Sequence, residues 1–185
     1  MLRCMAKRVF IIHGWGGDPG SNWFPWLKEM LEKRGIEAVV PRMPDSENPK
    51  LAAWLETLRK AVGGPDAETF MVGHSLGCIT ILRYMQSLRD EDKIGGAVLV
   101  AGFTEDLGIK QIANFLDGPV DWKGINARCK RFVAIASDND SYVPLRQSEI
   151  LKEKLGAKVL MQQGMDHFNM AELHVALNEL LKIIG

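Results

Sequence analysis

Gly73, Ser75 and Gly77 form the pattern Gly-x-Ser-x-Gly, whose residue types and spacing fit a serine nucleophile. In such an elbow a strand turns abruptly into a helix, and the serine takes a strained backbone conformation that lifts its Oγ off the sheet. Glycines on both sides allow the strand and helix backbones to approach closely. Residues 68–73 have the pattern of a buried strand, and residues 76–85 that of a helix. We therefore predict that Ser75 is a nucleophile.

A serine nucleophile needs a general base, and the chain has four histidines: His13, His74, His167 and His174. His74 is adjacent to Ser75, so we expect the elbow to direct it elsewhere. His13 precedes the serine, and His174 falls in a predicted terminal helix. His167 lies in the loop between the last predicted strand and helix, at the sheet edge where ligands bind in open α/β folds. In elbow enzymes the base also comes last in the chain, so we predict that His167 is the base.

The acid that orients the base should follow the fifth predicted strand, where residues 137–144 contain two aspartates. Asp140 has the spacing Asp-x-x-Val-Pro that is common in hydrolases with such an elbow, which favours it as the acid. Asp138 is the competing candidate, and otherwise it would shape the loop through bonds from its side chain to the backbone. Asp166 is too close to His167 in sequence to reach its ring. The remaining candidates follow the fourth predicted strand: Glu105 and Asp106.

An oxyanion formed during acyl transfer needs backbone N–H donors. One is expected from Leu76, the residue after the nucleophile. The other is expected from Trp15, in the glycine-rich loop after the first predicted strand. His13 and Gly14 of the same loop are candidate substrate-binding residues. The chemistry implies no metal and no organic cofactor.

These residues are placed by strands and helices that alternate along the chain, which predicts an α/β fold with a largely parallel sheet covered by helices on both faces. We expect about six strands in the order 2-1-3-4-5-6. The predicted strands are residues 8–13, 36–40, 68–73, 95–101, 131–136 and 158–161. The predicted helices are residues 23–34, 50–62, 76–85 and 170–184, the second of them capped by Asn48-Pro49.

Residues 102–129, called the wall segment below, form the longest stretch without a clear strand. We expect a short helical excursion over one end of the sheet that forms a wall of the pocket. Phe103 and Trp122 are its candidate substrate-binding residues. This stretch also holds the apolar residues Ile109, Phe115, Leu116 and Val120.

Length and composition limit the alternatives. A chain of 185 residues suits one domain, residues 1–185. Lys+Arg and Asp+Glu are both 23, so the net charge is zero and no nucleic-acid or acidic-membrane partner is indicated. The basic N-terminus precedes an apolar run that is too short for a signal peptide. No stretch reaches the 18 apolar residues that a membrane-spanning helix needs. The three cysteines, Cys4, Cys78 and Cys129, lack Cys-x-x-Cys spacing, which favours a reducing cytoplasm over disulfides or zinc.

Nearly the whole sequence resembles a family of small α/β-hydrolases, the YdeN and retinoblastoma-binding-protein-like serine hydrolases. The most specific stretch is Asn22 to Lys28. The other shared segments are Ile12-His13-Gly14, Met43-Pro44, Trp54, Gly73 to Cys78, Ile81-Leu82-Arg83, Asp140-x-x-Val143-Pro144 and His167-Phe168. The resemblance implies a compact α/β-hydrolase without a large cap domain, and a triad of Ser75, Asp140 and His167. The family name also suggests a Leu-x-Cys-x-Glu motif, but Leu76-Gly-Cys78-Ile-Thr80 lacks the glutamate, so no protein partner is indicated.

We therefore expect a serine hydrolase of the carboxylesterase type that acts on small acyl esters through an acyl-enzyme. Amide and thioester hydrolysis remain alternatives, because the same residues would serve all three reactions. A different class of function is a binding or scaffold protein that keeps the fold and recruits a partner through its surface.

Overall fold

The fold is an alternation of strands and helices, seen in a computed structural model that describes residues 6–185. Cys4 and the start of the basic N-terminal stretch lie outside these residues. Within them the strands are β1 Arg8–Ile12, β2 Glu37–Val39, β3 Thr69–His74, β4 Gly96–Val100, β5 Phe132–Ser137 and β6 Lys158–Gln162. The α-helices are α1 Phe24–Glu32, α2 Leu51–Val62, α3 Leu76–Gln86, α4 Trp122–Arg128, α5 Arg146–Leu155 and α6 His174–Ile184, and a 3-10 helix spans Lys110–Phe115.

Within residues 6–185 the strands form a single sheet in the order β2-β1-β3-β4-β5-β6, with every neighbouring pair parallel. The predicted α/β class and strand order are confirmed. Because the strands are parallel, their carboxyl ends lie along one edge of the sheet. The residues that follow β1, β3, β4, β5 and β6 are therefore brought together there.

The core has two halves because side chains alternate between the faces of a strand. Val9 and Ile11 of β1 pack in one cluster with apolar residues of α1 and α6. Phe10 and Ile12 face the opposite cluster, which contains residues of α2, α3, α4 and α5. Both faces of the sheet are thus covered, as the continuous apolar character of the strands predicts.

Several element bounds differ from the sequence predictions. Helix α5 was not predicted, because its exposed surface is strongly charged and it has few apolar residues, although Gly156 at its left-handed C-cap and Lys152 and Lys154 in its last turn are helix-end signals. The predicted cap of α2 by Asn48 is wrong: the helix follows Lys50, without a side-chain cap. Helix α6 starts at His174 and not near residue 170. No helix in the described part of the chain is long and apolar enough to cross a membrane.

Candidate active site

The turn between β3 and α3 has the geometry of a nucleophile elbow. Ser75 has φ 54° and ψ −118°, a strained conformation for a residue other than glycine. Its backbone N–H donates to the Val100 carbonyl at 2.9 Å, which ties the turn to β4. A Cβ on Gly73 would lie 2.8 Å from the Cys78 nitrogen, and a Cβ on Gly77 would collide with the Ile12 carbonyl. The glycines are therefore required by close packing of α3 against β3 and β1.

Asp140, rather than Asp138, contacts the ring of His167. The His167 Nδ1 lies 2.9 Å from Asp140 Oδ2 and 3.1 Å from Oδ1, and the carboxylate side chain is only 2% exposed. The Tyr142 and Val143 N–H groups donate to Asp140 Oδ1 at 2.8 and 3.0 Å. Burial raises the pKa of Asp140, but the bonds from His167 and these two amides outweigh it, so the pKa lies below its usual value. An ionised Asp140 therefore accepts from Nδ1–H and leaves His167 Nε2 free to act as a base.

The loop that carries His167, residues 163–173 and called the histidine loop below, is held by the loop after β5. Three consecutive side chains, from the last residue of β5 into that loop, accept from three consecutive backbone N–H groups: Ser137 Oγ from Met165 at 3.0 Å, Asp138 Oδ1 from Gly164 at 2.8 Å, and Asn139 Oδ1 from Asp166 at 2.8 Å. Asp138 thus shapes the loop through bonds to the backbone. These bonds fix the histidine loop on the same strand end that presents Asp140.

Two backbone N–H groups near Ser75 are available to an incoming ligand. Within residues 6–185, neither the Trp15 N–H nor the Leu76 N–H donates a hydrogen bond. Both residues line the cavity that Ser75 lines. The Trp15 indole donates to the Glu47 carbonyl at 2.8 Å, which fixes the loop after β1. The arrangement fits a site for a developing oxyanion.

The cavity at the sheet's carboxyl edge has a volume of about 210 Å³. Its lining residues come from the end of β3 and from the loops and helices that follow β1, β3, β4, β5 and β6: Gly14, Trp15, Gly17, Asn22, Phe24, His74, Ser75, Leu76, Phe103, Leu107, Ile109, Ile112, Tyr142, His167 and Asn169. None of these is Lys, Arg, Asp or Glu. Among the described residues no hydrogen bond joins Ser75 Oγ to His167 in this ligand-free geometry, a bond that often tightens only when substrate is present.

Two predicted substrate-binding residues lie outside this cavity. His13 is fully buried: its Nδ1 donates to the Gly14 carbonyl at 2.9 Å, and its Nε2 accepts from the Met43 N–H at 3.1 Å. Burial lowers its pKa, and the two bonds fix a neutral ring that supports the loop without lining the site. Trp122 starts α4 and lines a separate groove beside Arg146. Gly14 and Phe103 do line the cavity.

The wall segment lines the cavity with some residues that the sequence indicated and with others, Leu107 and Ile112, that it did not. Besides Phe103, the cavity is lined by Leu107, Ile109 and Ile112. Phe115 instead packs into the core with its ring centroid 5.3 Å from that of Trp54. The 3-10 helix places Ile112 at the cavity and Phe115, three residues later, in the core, a division that apolar residue types do not reveal.

Residues from loops outside the wall segment, not predicted from the sequence, also contribute to the site. Asn22 and Asn169 line the cavity and are joined by a hydrogen bond of 3.2 Å between their amides. Tyr142 covers the His167 ring with a centroid distance of 4.9 Å and is 57% exposed. His74 lines the cavity and contacts His167 rather than pointing away from it. His174 is exposed at the start of α6, where Nε2 lies 2.9 Å from Glu172.

The sheet order, the elbow and the Ser75, His167 and Asp140 cluster define a protein of the α/β-hydrolase class, with the residue types of a serine hydrolase site. Comparison with known proteins narrows this class. Residues 9–185 match the model of the Serine hydrolase family, and the chain belongs to that family.

Named relatives agree with this assignment. The chain is 36% identical over 165 residues to YdeN of Bacillus subtilis (strain 168), named as a hydrolase, with 89% of this chain and 87% of YdeN covered. It is 26% identical over 183 residues to the serine hydrolase RBBP9 of Rattus norvegicus, with 97% and 94% covered. The resemblance found in the sequence is thereby confirmed.

Solved structures show the same fold. The crystal structure of the ydeN gene product from B. subtilis matches with a TM-score of 0.91 and 33% identity, covering 96% of this chain and 98% of that one. Est1E from Butyrivibrio proteoclasticus matches with a TM-score of 0.75 and 17% identity, covering 97% and 88%. Family membership supports hydrolase activity for the chain, and the solved structures show its fold.

Proposed function

We propose that the protein is a carboxylesterase that cleaves small, uncharged acyl esters through an acyl-enzyme on Ser75. The observation that carries this proposal is the convergence on one cavity of Ser75, the Asp140-bonded His167, and the unpaired N–H groups of Trp15 and Leu76. This set provides a nucleophile, a base with an orienting acid, and oxyanion donors.

In the proposed reaction the Ser75 Oγ attacks the ester carbonyl while His167 Nε2 takes its proton. Asp140 keeps Nδ1 protonated and stabilises the imidazolium that forms. The Trp15 and Leu76 N–H groups bind the oxyanion of the tetrahedral intermediate. His167 then gives the proton to the leaving alkoxide, and the acyl group stays on Ser75. Water, deprotonated by His167, then attacks this ester; the bond to Ser75 Oγ breaks, His167 returns the proton to Oγ, and the acid is released.

The cavity supports a small and neutral substrate. Its volume is below the roughly 300–1,000 Å³ of sites for drug-sized ligands. No carboxylate, ammonium or guanidinium group lines it, so a charged acyl group would lose hydration without gaining a partner. The apolar residues of the wall segment, Phe103, Leu107, Ile109 and Ile112, favour a short aliphatic or aromatic acyl group.

The experiment is a series of p-nitrophenyl esters of increasing acyl length, combined with labelling by a fluorophosphonate probe. We expect short and medium esters to be cleaved, succinyl esters to be poor, and labelling to depend on Ser75. A matched series of anilides and thioesters tests the alternative reactions, since faster thioester or amide cleavage at equal acyl size would change the assignment. No labelling and no hydrolysis of any series would favour a binding or scaffold role.

A further inference from the structure

The histidine next to the nucleophile is bonded to the residue proposed as the base. His74 Nε2 lies 2.8 Å from the backbone carbonyl oxygen of His167, and the two ring centroids are 5.0 Å apart. A carbonyl oxygen can only accept, so Nε2 carries the hydrogen and donates it. Among the described residues this is the only hydrogen bond to the His167 carbonyl. The bond joins the elbow directly to the histidine loop, 93 residues away.

The His74 ring is held in a fixed position. It is 4% exposed. Trp23 and Phe24 pack against it with ring centroids at 6.0 and 5.9 Å. Rotation of the ring would break this aromatic packing, so the donor is aimed at one point in space.

The part of the histidine loop that receives this bond is strained. Asp166 and Phe168, on either side of His167, have φ of 46° and 57°. A bulky buried residue such as Phe168 rarely adopts this conformation, which persists only where surrounding contacts impose it. Asn139 restrains the first of these residues through the Asp166 N–H, and the His74 bond restrains the carbonyl between them.

We propose that His74 is a positioning residue that sets the placement of the His167 ring relative to Ser75. This inference rests on the proposed function. Peptide connectivity joins His74 to Ser75, and one hydrogen bond joins His74 to His167, so a single buried side chain links nucleophile and base directly, in addition to the bonds that the end of β5 makes to the histidine loop. The role requires a neutral His74, because a second positive charge at this distance would oppose the imidazolium formed on His167. The charged or titratable groups that face His167 are Asp140, His74 and Tyr142.

Three substitutions distinguish the effect of the hydrogen-bond donor of His74 from the effect of the size of its ring. His74→Gln places an amide N–H near the Nε2 position, whereas the shorter His74→Asn ends near Nδ1 and cannot reach the carbonyl. His74→Leu fills space with no donor. We expect Leu and Asn to lower kcat about 10²-fold with KM little changed, the effect of a misplacement of about 1 Å. We expect Gln to recover most of kcat and to show the same acid limb in its pH profile of kcat/KM as the wild-type protein.

Unfolding in urea shows whether each variant is native. Equal kcat for folded Leu, Asn and Gln variants, or a loss confined to KM, overturns the positioning role. If the Leu and Asn variants do not fold, nitrogen-15 NMR of the wild-type histidine rings decides the question. A neutral His74 with the hydrogen on Nε2 supports the inference, and the Nδ1 tautomer overturns it. Wild-type protein without esterase activity or probe labelling would instead reject the proposed function.

Discussion

The two sides of the cavity are built by different means. On one side, the histidine loop and the residues after β5 are fixed by short hydrogen bonds and strained backbone, from His167 with Asp140 to Asp166 with Asn139. On the other side, the wall segment presents apolar side chains that make no directional contact with the site. The first side thus holds the groups proposed for the chemistry, where small displacements are costly, and the second is expected to determine which acyl groups fit.

The wall segment is nevertheless held firmly by hydrogen bonds on the side that faces away from the cavity. The guanidinium of Arg83, on α3, donates to four carbonyls of this segment at 2.9–3.0 Å: those of Phe115, Asp117, Gly118 and Pro119. The Asn114 side chain accepts from the Leu51 N–H at 2.8 Å and donates to the Pro49 carbonyl at 3.0 Å. Both sides of the cavity are therefore anchored, one at the reacting groups and the other far from them.

The largest expected effect comes from removing Ser75, the proposed nucleophile. Ser75→Ala should remain folded, because the side chain makes no hydrogen bond within residues 6–185, and should lower kcat about 10⁴- to 10⁶-fold. Hydrolysis of p-nitrophenyl butyrate measures the effect, with Ser87→Ala at the exposed end of α3 as the control. A Ser75→Ala protein that keeps more than a tenth of wild-type kcat would show that another residue is the nucleophile.

The second effect distinguishes the two aspartates. Asp140→Asn should favour the wrong tautomer of His167 and lower kcat on the order of 10⁴-fold, as for the aspartate of chymotrypsin-type triads. Asp138→Asn keeps an oxygen that can accept from the Gly164 N–H, so its kcat should fall about tenfold at most. Steady-state kinetics of the two variants at equal folded fraction provide the measurement. Equal losses would mean that loop order, and not the bond to His167, accounts for the effect of Asp140.

A third prediction concerns the stability of the protein against acid. Burial, and then the nearby His167 ring, lower the pKa of His74 to about 4, whereas an unfolded histidine titrates near about 6.5. Between these values the unfolded chain binds a proton at His74 that the native protein does not. The free energy of unfolding should therefore fall as the pH decreases from about 6.5 to 4, by about 3 kcal/mol from this residue.

Urea unfolding between pH 7.5 and 4.5 measures this loss. His74→Gln should remove the part of the pH dependence that His74 contributes, and His174→Gln, at an exposed site, should leave it intact. His13, whose pKa burial also lowers, contributes in the same direction and remains in both variants. If His74→Gln has the same pH dependence as wild type, His74 is not the group that titrates.

The same contrast explains what could be predicted from the sequence. The sheet order and the positions of Ser75, Asp140 and His167 could be predicted because they depend on distinctive residue types. These are glycines where two backbones approach closely, an acidic loop after β5, and a histidine near the end of the chain. His74 was misjudged because a residue next to the nucleophile was expected to point away. Its contact with His167 depends on a strained loop distant in sequence.

The residues of the wall segment that line the cavity could not all be identified from the sequence, because any of its apolar residues fits the pattern equally well. Ile112 faces the cavity, and Phe115 faces Trp54. Trp122 lies in a separate groove. Only the path of the 3-10 helix across α2 and α3 decides which of them meets a substrate, and that path depends on Arg83 and Asn114, which have no apolar periodicity to reveal it.

A fourth prediction concerns a substitution in the wall segment alone. Ile112→Ala should enlarge the cavity and move the preferred acyl length up by two or three carbons, with a gain of about 0.8 kcal/mol, or about fourfold, for each added CH₂ that is buried. Trp122→Phe, outside the cavity, should leave the acyl profile unchanged. The measurement is kcat/KM against acyl length. A profile that moves with Trp122 and not with Ile112 would place the acyl group in the other groove.

The smallest expected effect tests whether the wall segment is fixed. Because Arg83 and Asn114 hold this segment, it should not open at a lipid surface, and the cavity of about 210 Å³ should reject chains beyond about eight carbons. We expect emulsified lipid to leave kcat/KM for p-nitrophenyl butyrate unchanged, and activity to fall steadily from octanoyl to palmitoyl esters. Arg83→Met removes the four bonds to carbonyls while keeping an apolar stem, and should broaden the range of acyl lengths accepted. A sharp rise in wild-type activity on adding lipid, or an optimum at palmitoyl length, would show that the wall segment moves as a lid and that its bonds to Arg83 break during turnover.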